Sequence, residues 1–273
     1  MKRVVLTVLI SVVLIAGSYY FLIIDKALTA KNSLSTSNFS SENIPVVIIP
    51  HFNDFADKRA DLLQTVGANH QLKIVIVVSV NHFNSARANI ITADRKWKFF
   101  SGDMQSDKNL AAKLTASGIA ASDETAFARE HGISNVLPAV GKYLGSNFLP
   151  IIIRDTTPKE QIDRLADWLN QNIADGVMVA SVDFSHYQPS AVAKVYDQFS
   201  IQALKNLDAD KIWVAKSDSP QTLYLAQKIA VKKGAKNFIL FYNSNSGERG
   251  GNSNAETTSV VLGYYSDTIE IKR

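Results

Sequence analysis

Four of the five histidines in this chain fall inside short cassettes that also carry carboxylates or amides. They read Pro50-His51-Phe52-Asn53, Ser79-Val80-Asn81-His82-Phe83, Arg129-Glu130-His131-Gly132-Ile133 and Ser181-Val182-Asp183-Phe184-Ser185-His186-Tyr187, and only His70 stands outside them. Imidazoles brought together can hold a metal or move protons. A His/His/carboxylate set with open positions suits Fe(II) and also accepts Zn(II) or Cu(II). Imidazoles left over from such a set serve as acid/base groups or substrate contacts. The chain has no cysteine. Disulfides, iron–sulfur clusters and thiolate ligands are thereby excluded, and any metal must be held by His, Asp, Glu and water. Each cassette also has a purely structural reading. A lone strand-end histidine is commonly just hydrogen-bonded. Asp183 has the side chain of a helix N-cap. His131 beside Glu130 reads as an ion pair on the surface. The metal reading rests on the four occurring together.

The elements that must position these residues are legible as short Val/Ile-rich runs: 45–50, 73–80, 148–154, 177–182, 237–242 and 259–265. They show little polar alternation, the pattern of strands buried on both faces. Helical segments lie between them, over 54–68, 107–117, 133–144, up to Ile173 after Thr156-Thr157-Pro158, which reads as a cap followed by Pro near the first turn, 190–207 and 219–233. Such alternation predicts a three-layer α/β/α sandwich with a mostly parallel or mixed central sheet. His51, His82 and the Asp183–His186 pair follow three of the strands closely. Strand ends are where open α/β sheets place their ligands. We therefore expect His51, His82 and His186 to converge in one crevice, with Asp183 adjacent and His131 at its edge. Residues 243–258 read as a long polar loop between the last two strands.

Hydrophobic residues make up 46% of the chain, which suffices for a full core. The net charge of +4 and pI near 9.1 come from scattered lysines with no block of like charge, so no nucleic-acid partner is expected. Lys2-Arg3 precede Val4 to Ile24, a run of 21 residues without a charge. As a helix this run spans roughly 31 Å, enough to cross a bilayer core. The positive-inside rule then puts the domain outside the cytoplasm, as a single-pass cell-membrane protein. A signal peptide cleaved near Ala16-Gly17-Ser18, giving a secreted protein, is the other reading. Residues 25–43 are polar and rich in Ser, Asn and Thr, a flexible tether. The expected organisation is an anchor over 1–24, the tether, and one α/β domain over 44–273.

From about Ile44 to Tyr265 the chain resembles the Memo family, also called AmmeMemoRadiSam system protein B. The family's Pro-His-Ala-Gly cassette corresponds to Pro50-His51-Phe52-Asn53. Its Gly-Pro-Asn-His turn corresponds to Ser79-Val80-Asn81-His82. Trp97 and the Gly102 to Asp107 stretch come next. The pattern His-x-x-Glu-His-Ser-x-Glu-x-x-x-Pro corresponds to Phe127 through Pro138, and Ser-Ser-Asp-Phe-Ser-His-Tyr is nearly intact as Ser181 to Tyr187. Tyr-x-x-Ser is loosely matched at Phe241-Tyr242-Asn243-Ser244, and Val260-Val261-Leu262-Gly263-Tyr264 matches the closing strand. The resemblance implies the fold and metal pocket of class III extradiol dioxygenases, which use non-haem Fe(II), with Cu or Zn as further candidates. It implies His51 and His82 as metal ligands, Asp183 as a ligand or the neighbour of one, and His186 lining the pocket. His131 and His186 are the candidate acid/base groups. Where the family often carries a pocket cysteine, this chain has Lys216-Ser217-Asp218-Ser219-Pro220, so Asp218 is the candidate oxygen ligand. Other departures are Phe127 for His, Gly132 for Ser and Ser134 for Glu.

Three functions follow as expectations. One is a metal-dependent oxidoreductase acting on a small molecule. Another is a non-enzymatic module that binds a metal, a peptide or a small ligand at the membrane surface. The third is a metal-dependent hydrolase.

Overall fold

The computed structural model describes residues 43–68, 74–254 and 256–268. The apolar segment Val4–Ile24, the tether up to residue 42 and His70 lie outside the described residues. No described helix is long and apolar enough to cross a membrane.

The predicted strands are present as β1 (Val46–Ile49), β2 (Ile74–Val80), β7 (Phe148–Ile153), β8 (Gly176–Ser181), β9 (Asn237–Asn245) and β10 (Ser259–Ser266). Four short strands join them: β3 (Ile90–Thr92), β4 (Lys96–Trp97), β5 (Met104–Gln105) and β6 (Ala121–Ser122). At two or three residues each, these carry no readable period. Eight strands form one sheet in the order β6-β3-β7-β2-β8-β1-β10-β9, and β4 pairs with β5 in a separate hairpin. The central four, β7, β2, β8 and β1, run parallel. β3 and β10 pair antiparallel onto their two outer edges. The sheet is therefore mixed with a parallel centre. Its central strands are buried along almost their whole length, which accounts for their unbroken Val/Ile composition.

Helices cover both faces. One face carries α2 (Lys108–Ala116), α5 (Lys159–Asn172), α7 (Ala209–Trp213), α8 (Pro220–Lys232) and the end of α6 (Ser190–Lys205). The other carries α1 (Ala56–Gly67), α3 (His131–Ser134) and α4 (Leu137–Tyr143). A last short helix, α9 (Ser246–Arg249), follows β9 inside the stretch read as loop. The helix α5 shows why these segments coil. Ile162, Leu165, Ala166 and Leu169 recur at the spacing of one helical face, and all are buried. Each large apolar side chain so buried contributes about 1.5–3 kcal/mol.

Two helical expectations are corrected. Thr157 does not cap α5; its hydroxyl donates to the Asn89 carbonyl, and Pro158 takes the cap position. The single helix expected over 133–144 is two, α3 and α4. Pro138 lies in the first turn of α4, where its missing N–H costs nothing. The break also frees Asn135, whose carbonyl accepts from Arg59 and whose amide donates to the His51 carbonyl.

Candidate metal centre

The register of the sheet brings three chain segments to one place. Ser181 of β8 is level with Ile49 of β1 on one side and Ser79 of β2 on the other. Just beyond this line come His51, His82 and Asp183, on three adjacent strand ends. Asp183 does not cap a following helix. One of its oxygens accepts from the backbone N–H of His51 at 3.1 Å and of Phe52 at 3.2 Å, clamping the exit of β1 to the exit of β8. Asp218 arrives from the loop ahead of α8, and its backbone N–H donates to the Asp183 carbonyl at 3.0 Å. Ser219 then caps α8, with Pro220 in its first turn. Arg59, buried on α1, donates to the carbonyls of Pro50 and Asn135 and to Asn53, holding the turn that presents His51.

Glu130 is fully buried. It is not the surface partner of His131. One carboxylate oxygen accepts from His82 Nδ1 at 2.6 Å and from Gly132 N–H at 2.9 Å, and the other accepts from the His82 backbone N–H at 3.0 Å. Glu130 thus caps α3 and orients His82 at once.

These contacts fix both tautomers. The Ser181 hydroxyl donates to the Gly132 carbonyl at 2.6 Å. Its oxygen is then an acceptor for His51 Nδ1 at 3.3 Å, so that nitrogen carries the proton. The Glu130 carboxylate sets the same tautomer in His82. Both rings are left with Nε2 facing carboxylate oxygen. His51 Nε2 lies 3.0 Å from Asp218 Oδ2 and 3.2 Å from Asp183 Oδ2, and His82 Nε2 lies 3.6 Å from Asp218 Oδ2. Both Asp218 oxygens are buried, and among the described residues these two Nε2 atoms are what its carboxylate meets. Lone pair against carboxylate is repulsive unless a cation lies between them. Either protons on the two Nε2 atoms or a metal ion can supply that charge, and imidazole nitrogen beside carboxylate oxygen is a donor set that fits a metal.

His131 completes the cluster. Its ring centroid lies 4.0 Å from that of His82 and 5.3 Å from that of His51. Ligand atoms of His51, His82 and His131 approach within 4.8 Å of one another, as do those of His51, Asp183 and Asp218. Either group can hold a metal ion.

The electrostatics match. Burial pulls the His51 imidazole down, but Asp218 and Asp183 outweigh it and raise its pKa. For His82, burial is outweighed by its contacts with Asp218 and Glu130, which push it up to about 9. His131 is held below its ordinary value by burial and by the charge of the other two rings. Burial raises Asp183, whereas Asp218 is drawn well below the carboxylate range because His51 and His82 override its burial.

The cluster opens into a crevice of about 480 Å³ lined also by Phe52, Asn53, Asn135, His186, Tyr187 and Thr258. His186 lines this crevice half-buried, outside both ligand groups, and His131 stands among the imidazoles and not at their edge. Tyr187 beside it is exposed and adopts a left-handed backbone conformation, φ 57°. Arg59, Ser181 and the true partner of Glu130 are not marked by residue type or spacing. One signal was visible: Ser79 and Ser181 are the only polar residues in β2 and β8.

The sequence model of the Memo-like protein family matches residues 14–260. A MEMO1 family protein of Methanosarcina barkeri is 32% identical over 64% of this chain and 68% of its own length. One from Metallosphaera sedula is 24% identical over 84% of each chain. A third, from Caldivirga maquilingensis, is 26% identical, and the match spans 61% of that relative's length. The crystal structure of an uncharacterized protein, JW3007, from Escherichia coli K12 aligns with a TM-score of 0.52 at 12% identity, covering 80% of this chain and all of that one. That likeness concerns the fold alone. With the family pattern matched along most of its length and the histidine cassettes meeting at adjacent strand ends, the chain belongs to the Memo-like family.

Proposed function

We propose that this protein binds a divalent transition metal, Fe(II) first among them, and uses it in redox chemistry on a small molecule. The reading is carried by one observation: the Asp218 carboxylate lies against the Nε2 atoms of two oriented imidazoles, at 3.0 and 3.6 Å, inside one cluster of three histidines and two aspartates. His51, His82 and Asp218 together are a two-histidine, one-carboxylate set, the donor set of non-haem Fe(II) oxygenases. His131 or Asp183 would add a further ligand. A metal bound there supplies Lewis acidity and, if iron or copper, an electron reservoir. The chain's own residues do the rest. Glu130 and Ser181 hold the imidazoles in their ligating tautomers. Asn53, Asn135 and Thr258 offer polar contacts for a ligand in the crevice, while Phe52 and Tyr187 shape an apolar wall. His186, which lines the same crevice, would take or return a proton of that ligand.

Two other readings have support of their own. Three imidazoles in one cluster also suit Zn(II) or Cu(II), and with them a hydrolase. Phe127 is buried against Trp97 where the resembled motif carries a histidine, so no proton-transfer group stands there. That favours a module that binds a metal or small ligand without turnover. The N-terminal apolar run supports membrane attachment with the domain outside the cytoplasm.

Metal analysis of the purified protein, followed by titration with Fe(II), Zn(II) and Cu(II), tests the centre. One equivalent is expected in the native protein and none in His51→Ala or Asp218→Asn. Oxygen uptake with catechols by the iron form, lost in His186→Ala with its metal retained, would support the oxidoreductase. Stoichiometric metal in the Asp218→Asn protein would overturn the assignment of that carboxylate.

A further inference from the structure

The hairpin of β4 and β5 carries an exposed aromatic residue that the metal centre does not use. The sequence Arg95-Lys96-Trp97-Lys98-Phe99-Phe100 leads into a tight turn in which the Gly102 N–H donates to the Phe99 carbonyl at 3.1 Å. Gly102 takes φ 121°, which favours glycine. Trp97 is buried against Phe127 and Phe148, and Phe99 packs on the same core. The root of the hairpin is thus pinned. Phe100 at the turn is fully exposed, with exposed Lys98 two residues before it. Lys96 is partly neutralised by Asp103 at 2.7 Å. The turn residues Ser101 and Gly102 border a cleft of about 580 Å³ whose far wall is the end of α4, where Lys142 is exposed. A single exposed apolar residue is ordinary. A fully exposed phenylalanine on a pinned turn among lysines is the composition of an interfacial contact with anionic lipid.

The place of this hairpin in the fold points the same way. Ser106, just past β5, bridges to Phe148, and the Asp107 N–H donates to the Phe148 carbonyl, so the hairpin springs from the amino-terminal end of β7. The chain enters β1 at the same end of the parallel strands, where the Asn43 backbone donates to Asp267. β1 lies three strand positions from β7, about 14 Å away. The charge-free run ends at Ile24, and the residues from there to Asn43 would reach roughly 25 Å if they behave as a random coil. The metal crevice is at the opposite, carboxyl end of the strands. We propose that the turn at Phe99–Gly102, led by Phe100 and Lys98, touches an anionic phospholipid surface and holds the domain with its metal crevice facing away from the bilayer. This inference is independent of which metal binds.

The absence of cysteine makes the test direct, because one introduced cysteine is a unique label site. Full-length protein carrying Phe100→Cys or, as a control, Val195→Cys is labelled with an environment-sensitive fluorophore. Each is reconstituted in vesicles of anionic or zwitterionic lipid with brominated acyl chains. Val195 is exposed on α6, which starts at the carboxyl end of the sheet. A blue shift and bromolipid quenching are expected at position 100 on anionic lipid, and neither at position 195. Lys98→Gln is expected to shift the bound-to-free balance of the hairpin about fivefold towards free on anionic lipid, the factor set by one basic residue at such a surface. Quenching equal at both positions, or absent at position 100, overturns the proposal. A blue-shifted label at position 100 that brominated lipid does not quench means that protein covers the hairpin, and also overturns it. So does full-length protein that fails to float with the vesicles.

Discussion

Ser79 and Gly132 carry a reciprocal change of side-chain size. The motifs that this chain resembles place Gly at the first position and Ser at the second. Here the hydroxyl sits at 79 and donates to the Ser181 carbonyl at 3.0 Å. A Cβ added at Gly132 would lie 2.2 Å from that hydroxyl oxygen. Ser79 thus occupies the space that a side chain at 132 would need, under the metal centre. Gly132→Ser alone is expected to overfill the site and cost about 1–3 kcal/mol in urea unfolding. Adding Ser79→Gly should recover at least ~1 kcal/mol of that loss, a non-additivity that a double-mutant cycle reads directly. A second expectation concerns protons. His82 titrates near 9 because Asp218 and Glu130 override its burial, so below that pH metal must displace its proton. Lowering the pH from 8 to 7 should weaken metal binding about tenfold for this proton alone. Glu130→Gln removes part of the pull on the proton and should flatten the dependence, as titration calorimetry at the two pH values would show. The histidines were legible because residue type and spacing carry them. Ser181 was not, because its role lies in where one hydroxyl proton points.

Among the elements, α6 is tied to the rest by a buried acid. Asp197 accepts from Ser259 on β10 at 2.7 Å and from Asn243 on β9 at 2.7 Å. The Ser259 hydroxyl oxygen in turn accepts from the Ser185 N–H at 2.9 Å, within the Asp183–His186 segment. Burial raises the Asp197 carboxyl to about 6, against hydrogen bonds that lower it. A folded-state pKa above the unfolded one means that the native state binds the extra proton between the two. Stability is therefore lost as pH rises from about 4 through 6. Relative to Asp197→Asn, the native protein should lose on the order of 3 kcal/mol between pH 4 and pH 7.5, measured by denaturant unfolding. Long elements were readable from composition alone, since six Val/Ile runs and the amphipathic α5 have no other use. The short ones were not. β3 and β6 exist because the sheet edge offers them partners, and the break between α3 and α4 exists because Arg59 and His51 engage Asn135.

For the whole molecule, the N-terminal run Val4–Ile24 predicts that spheroplast protease reaches the domain in a membrane-bound form. Full protection, or complete release in soluble form, would count against a retained anchor, the latter favouring signal cleavage. The domain itself should respond to its metal. A ligand that binds only the folded state adds about 2.7 kcal/mol at a free concentration of one hundred times Kd. Thermal unfolding should therefore rise with added metal in the native protein and stay unchanged in His82→Ala. The donors responsible come from positions 51, 82, 131, 183 and 218, so no contiguous stretch of chain holds more than a fragment of the centre. The crevice is therefore complete only when all of these segments have docked. Until β8 has docked between β1 and β2, His51 and His82 have no reason to meet, and the last donor, Asp218, must wait for the loop before α8. A chain still threading through a membrane or leaving a ribosome would carry no ion at this centre. Loading would report that the sheet is finished, and the compartment in which folding ends would decide which metal is offered.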